Sequence, residues 1–163
     1  MKFLGRRGQT IKTIITGTAL LLSVSSIHAQ SSGPFAGFDG KWTGTGTVAL
    51  SDGSVEHIRC KGNYKVGGAG LNLNLLCASD SYRIDLSSDV MSEGSRVSGK
   101  WSEASRNLFG NLQGTAGAGQ IDLFAEANGF AANLTLRTSG NKQTVQISSK
   151  GDIRDVKITL AKS

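Results

Sequence analysis

Cys60, Cys77, His57 and a scatter of carboxylates are the side chains of this 163-residue chain whose types could support covalent, metal or acid–base chemistry. A serine or thiol nucleophile needs a base beside it, and beyond residue 29 that base can only be His57. His57 falls between Glu56 and Ile58 on the polar side of an alternating run, the position of an exposed strand histidine. Glycoside hydrolysis needs two acids a few ångströms apart across a cleft. Asp80, Asp85, Asp89, Glu93, Glu103, Asp122 and Glu126 are available, yet most lie on polar strand faces or in turns, where solvation explains a charge. Tetrahedral zinc takes four ligands, more than Cys60, Cys77 and His57 supply. The Gly114-Thr115-Ala116-Gly117-Ala118-Gly119 stretch has the composition of a phosphate loop, but it precedes a strand and lacks the lysine of that motif. It reads as a flexible turn. No catalytic residue, metal site or cofactor is expected.

The two cysteines have a different use. They flank a hairpin that turns at Gly67-Gly68-Ala69-Gly70, and pairing Val66 with Leu71 also pairs Tyr64 with Leu73, Gly62 with Leu75 and Cys60 with Cys77. Directly opposed residues in such a ladder have Cα atoms roughly 4.5–5.5 Å apart, inside the range a disulfide accepts. A Cys60–Cys77 disulfide is therefore expected, and with it an oxidising compartment.

The elements that carry these residues all have period two. Ile58, Cys60, Gly62, Tyr64 and Val66 alternate with His57, Arg59, Lys61, Asn63 and Lys65, giving one apolar and one wet face. Similar alternation marks Trp42 to Leu50, Tyr82 to Leu86, Val97 to Trp101, Ile121 to Ala125, Phe130 to Leu136, Val145 to Ile147 and Val156 to Leu160, with a further strand in Asn107 to Leu112. Asp52-Gly53, Glu93-Gly94, Asn128-Gly129, Ser139-Gly140-Asn141 and Gly151-Asp152 punctuate them as turns. No segment keeps a helical period. The pattern predicts an all-β fold, an antiparallel up-and-down meander closing into a small barrel of eight to ten strands, with a β-sandwich as the alternative.

A basic start (Lys2, Arg6, Arg7, Lys12), an apolar run from Thr13 to Val24 and Ile27-His28-Ala29 have the form of a cleaved signal peptide over residues 1–29. The apolar run is too short to span a membrane as a helix. Gly8-Gln9-Thr10 follows the arginine pair where a twin-arginine signal carries a bulky apolar residue. Residues 30–38 are expected as a flexible lead-in and 39–163 as one barrel domain. Eighteen basic and twelve acidic residues give +6; the leader takes four basic residues, leaving fourteen against twelve, or +2. That balance, with single scattered basic residues, excludes the stripe of a nucleic-acid binder.

The run Phe38-Asp39-Gly40-Lys41-Trp42 resembles the F-x-G-x-W opening of lipocalins and related calycin barrels. The resemblance implies that Trp42 plugs the closed end, with an arginine from a late strand, Arg154, stacking on it. Ile58-Arg59-Cys60-Lys61, Leu76-Cys77-Ala78-Ser79-Asp80-Ser81-Tyr82 and Gly99-Lys100-Trp101-Ser102-Glu103 resemble exported proteins of rhizobia and related alphaproteobacteria that carry no assigned function, which implies a bacterial periplasmic or secreted setting. Trp42 and Trp101 are read as structural. The expected role is a soluble, non-catalytic binding module for a small ligand or envelope component, without stable membrane insertion. The alternatives are a protein-directed factor, such as a periplasmic protease inhibitor or a host-interaction protein, and a small outer-membrane barrel. Non-reducing peptide mapping should recover Cys60 joined to Cys77 within one chain, and free thiols would contradict the register.

Overall fold

The computed structural model describes residues 33–163; the expected signal peptide lies outside the described residues. Ten strands follow one another in the chain: β1 Gly40–Leu50, β2 Val55–Gly67, β3 Gly70–Ala78, β4 Arg83–Glu93, β5 Arg96–Glu103, β6 Leu108–Gly117, β7 Gln120–Ala127, β8 Phe130–Ser139, β9 Lys142–Ser149 and β10 Ile153–Lys162. Each pairs antiparallel with the next, and β1 pairs with β10 from Trp42↔Lys162 to Leu50↔Ile153, so the sheet closes on itself. One closed ring leaves no second sheet, which removes the sandwich alternative.

Alternation decides the inside. Ile58, Cys60 and Tyr64 of β2, Leu71, Leu73, Leu75 and Cys77 of β3, and Val156, Ile158 and Leu160 of β10 are all buried in a single core. Their neighbours in sequence, such as Lys61, Asn72, Asn74 and Lys157, face water. Closure gives every strand two partners and removes the exposed edges of an open meander. The hairpin register around Gly67 and Gly70 is the one read from sequence, and Cys60 and Cys77 are bonded across it with Cα atoms 4.1 Å apart.

Tight reversals carry the meander. Gly53, Gly68, Gly94, Gly119, Gly129 and Gly140 all have positive φ in the hairpin turns, a region open to glycine and costly for residues with a Cβ. The expected flexible turn at 114–119 is shorter than its composition suggests. β6 continues through Gly117, and only Ala118 and Gly119, at φ 50 and 75, make the reversal. Gly114 belongs to the wall because a Cβ there would lie 1.9 Å from the Asp122 carbonyl oxygen across the ladder. The β4 strand also runs further than the Tyr82 to Leu86 alternation indicates, since Ser87, Ser88 and Asp89 extend the ladder with polar side chains.

The two ends of the barrel differ. At one end, where the turns β2–β3, β4–β5, β6–β7 and β8–β9 gather, lies the segment 33–39, held by β2 and β8. Residues 30–38 were expected as a flexible lead-in; the described part of that stretch, 33–38, is instead a folded plug. Ala36 and Phe38 donate backbone hydrogen bonds to Gly33 and Phe35, which folds the chain so that Phe35 and Phe38 are both fully buried. Asp39 Oδ1 accepts from the Val66 amide at 2.9 Å, and the Thr138 hydroxyl donates to the Gly37 carbonyl, tying the plug to β2 and β8. Trp42 lies beneath it, fully buried, its indole donating to the Phe38 carbonyl at 2.8 Å.

The cation over Trp42 is Lys162, its Nζ 5.4 Å from the ring centre, rather than the Arg154 that the lipocalin resemblance implies. Register is the reason: Lys162 is the partner of Trp42 across β1–β10, whereas Arg154 is the second residue of β10, at the opposite end, and donates to the Lys150 carbonyl. The plug is a substantial part of the core. Phe38→Ala should lower unfolding free energy by about 3–5 kcal/mol, measured by urea denaturation. An unattached lead-in would show no change.

Candidate functional site

The opposite end, where the turns β1–β2, β3–β4, β5–β6, β7–β8 and β9–β10 gather, has no plug among the described residues. Leu50, Ile84, Leu108, Phe130 and Ile153 rim it as partly buried apolar side chains. Below this rim lies an apolar cavity of about 90 Å³ of water-accessible space. Leu86, Trp101 and Phe130 line its upper part, Leu123 and Leu134 its middle, and Tyr64, Leu71 and Leu136 its floor.

Residue size explains why the space is there. The β7–β8 wall presents Ala125 and Ala132, which pair across the ladder, where a bulkier pair would fill the interior. On β6, Gly110 is required by close approach: a Cβ would meet the Glu126 carbonyl oxygen at 1.8 Å and Trp101 Nε1 at 2.9 Å. The missing Cβ lets the Trp101 indole lie against the wall, with the Phe130 ring centre 5.4 Å away. On β2, Gly62 does the same for Tyr64, whose Cε2 would be 3.0 Å from a Cβ at that position. The phenol ring therefore leans from Tyr64 back along β2, with the ring of Phe38 6.2 Å away.

Ionisable groups inside the barrel are few. Burial pushes the Tyr64 phenol well above its ordinary value, so it stays neutral. Glu103 is 5 % exposed near the open end. Burial opposes its ionisation, but backbone amides of Asp85, Ser105 and Arg106 donate to its carboxylate and together hold it below its ordinary value. The Arg106 guanidinium, 3.3 Å from Oε2, adds an ion pair and covers the Tyr82 ring at 4.4 Å. Glu103 is thus the cap of the 104–107 turn.

The chemistry-bearing residues singled out in the sequence are not brought together. His57 is exposed on the outer face, opposite Thr47. Asp80, Asp89, Glu93 and Glu126 are exposed, Asp85 pairs with Arg83 on the surface, and Asp122 accepts from the Thr135 hydroxyl on the outer wall. Among the described residues no three His, Cys, Asp or Glu side chains cluster. Trp101, read from sequence as structural, also lines the cavity. Sequence reasoning missed Gln143, which is fully buried in the interior; its place inside follows from alternation with Val145 and Ile147.

No protein-family model and no curated protein matches this chain. Among solved structures, Rv2717c from M. tuberculosis superposes with a TM-score of 0.63 at 12% identity, covering 77% of this chain and 92% of that one. The S-type phycobiliprotein lyase CPES from Guillardia theta superposes with a TM-score of 0.53 at 9% identity, covering 77% and 88%. The likeness is one of fold: a closed antiparallel barrel.

Glu103 yields a pH prediction. A carboxyl held below its ordinary 4.5 stabilises the fold above that value and loses this contribution as pH falls through the folded pKa. Glu103→Gln should cost about 1–3 kcal/mol at pH 7. The gap between wild type and variant should shrink below pH 4.5 in pH-dependent urea unfolding.

Proposed function

We propose that this protein is an exported, non-catalytic binding module whose barrel takes a slim apolar ligand through its open end. The observation that carries this is the lined cavity itself. Its walls are almost wholly apolar and its rim is a ring of partly exposed hydrophobic side chains. Apolar cavities of this kind stay dry and take apolar guests. A volume of about 90 Å³ is well below the roughly 300–1,000 Å³ of a pocket that engulfs a drug-sized ligand. An alkyl chain or single ring fits inside, with any bulkier part of the molecule left at the rim.

Binding without catalysis is supported by the interior chemistry. One fold neighbour is named a lyase. Among the described residues the buried ionisable groups are a phenol kept neutral and a carboxylate committed to capping a turn, neither of them paired with a proton-transfer partner. The outward face is the polar one: Thr43, Thr45, Lys61, Asn63, Asn72 and Asn74 face water, and its large exposed hydrophobics are only Val55, Leu76, Met91 and Phe109 among the described residues. A lipid-facing barrel needs a continuous apolar band there. The Cys60–Cys77 bond and the signal-peptide pattern of residues 1–29 support a periplasmic or secreted setting.

Native mass spectrometry of protein purified from its own envelope tests each part. The chain mass should correspond to cleavage near Gln30, and a small molecule should travel with the protein. Ala125→Leu, which fills the cavity, should abolish that adduct while the protein stays folded by circular dichroism. A stoichiometric protein in place of a small molecule would favour a protein-directed factor. An uncleaved chain would defeat the export reading.

A further inference from the structure

The buried side-chain polar atoms left without a hydrogen-bond partner, among the described residues, are the Tyr64 hydroxyl, Trp101 Nε1 and both amide atoms of Gln143. All belong to inward-facing residues of the barrel. Burial strips a donor or acceptor of its water, and native interiors nearly always supply a replacement. Four orphan atoms on three inward-facing side chains are therefore a pattern that asks for a missing partner.

Tyr64 is 1 % exposed and Gln143 is 0 % exposed, and they reach the closed end from β2 and β9, the strands on either side of the β1–β10 pair. Gln143 lies close enough to the Tyr64 hydroxyl to stabilise its charged form as a hydrogen-bonding neighbour would, but the two fall short of full hydrogen-bond geometry, so each keeps unused capacity. Tyr64 lines the cavity floor. Its hydroxyl donates and accepts, and an amide beside it offers both functions again. Phe35, Phe38 and Trp42 close off the space behind them. Tyr64 thus sets a single phenol at the floor of an otherwise apolar shaft, with Gln143 beside it and outside the cavity lining.

The sign of charge at that spot is also set. Among the described residues the buried polar or charged side chains are Ser92, Glu103 and Gln143, so no lysine or arginine is buried. An anionic head group driven to the floor would lose its hydration with no counter-charge to replace it.

We propose that the barrel binds a neutral amphiphile, with its hydroxyl, carbonyl or amide group innermost against Tyr64 and Gln143 and its hydrocarbon part running up the apolar shaft to the rim. This rests on the apolar-ligand reading above and adds the head group and the direction of entry. Trp101 Nε1, higher in the shaft, then serves a second acceptor on the ligand.

The test compares hexane, 1-hexanol and hexanoate at pH 7 on the full disulfide-bonded protein, read by calorimetry and by the combined fluorescence of Trp42 and Trp101. In the wild type 1-hexanol should bind at least tenfold tighter than hexanoate. In Tyr64→Phe/Gln143→Leu the affinity for 1-hexanol relative to hexane should fall at least tenfold, with hexane itself unaffected. The unliganded double variant should melt at the same or a higher temperature, because orphan polar groups have been removed. If packing prevents the double variant from folding, Tyr64→Phe alone carries the same ratio test. An unchanged ratio, or hexanoate binding as well as 1-hexanol, overturns the head-group inference and leaves the apolar-ligand reading standing. Hexane failing to bind the wild type overturns both.

Discussion

The pairing of β1 with β10 is the contact on which the rest depends. Local hairpins could form the other nine pairings, but only this one joins residues more than a hundred positions apart and turns a ribbon into a ring. An open ribbon with this alternation has an apolar face exposed to water along its whole length. The closed ring has an inside, and with it a cavity and two distinct ends. Closing so long a loop carries an entropic cost that local pairings avoid. Gly44 and Gly46 in β1 ease the approach, since a Cβ at either would fall within 2.3 Å of a β10 carbonyl oxygen.

Much of this fold was legible in the residues because antiparallel meanders are written locally. Alternation from Ile58 to Val66, a turn at Gly67 to Gly70 and alternation from Leu71 to Cys77 fix a register without any distant information, and the cysteine partners follow from it. The turns at Asp52-Gly53, Asn128-Gly129 and Ser139-Gly140-Asn141 are of the same kind. What escaped was whatever depends on contact between residues far apart. Phe35 and Phe38 precede the first strand, so no periodicity marks them as core. Arg154 and Lys162 are equally good cations in sequence, and only the β1–β10 register chooses between them.

The candidate site was less legible still, for a related reason. Its functional character lies in what is missing: Cβ atoms at Gly62 and Gly110, bulk at Ala125 and Ala132, and partners for Tyr64 and Gln143. Tyr64 in a list of strand residues is one more aromatic on an apolar face, and Gln143 is a polar residue in a polar stretch. Glu103 shows the converse. Chosen from sequence as one of several acids available for hydrolysis, it is engaged instead by three backbone amides and serves the turn after β5.

The disulfide gains a meaning from the side of the ladder it occupies. Cys60 and Cys77 are 2 % and 1 % exposed, so their bond lies within the ring rather than on its outer surface. Thiol exchange requires an attacking thiolate to reach a sulfur, and here none can until neighbouring strands part. The rate at which a mild reductant consumes the bond thus becomes a clock for spontaneous breathing of the wall. A cross-link usually regarded as a brace then doubles as an internal reporter of how often the wall itself comes apart.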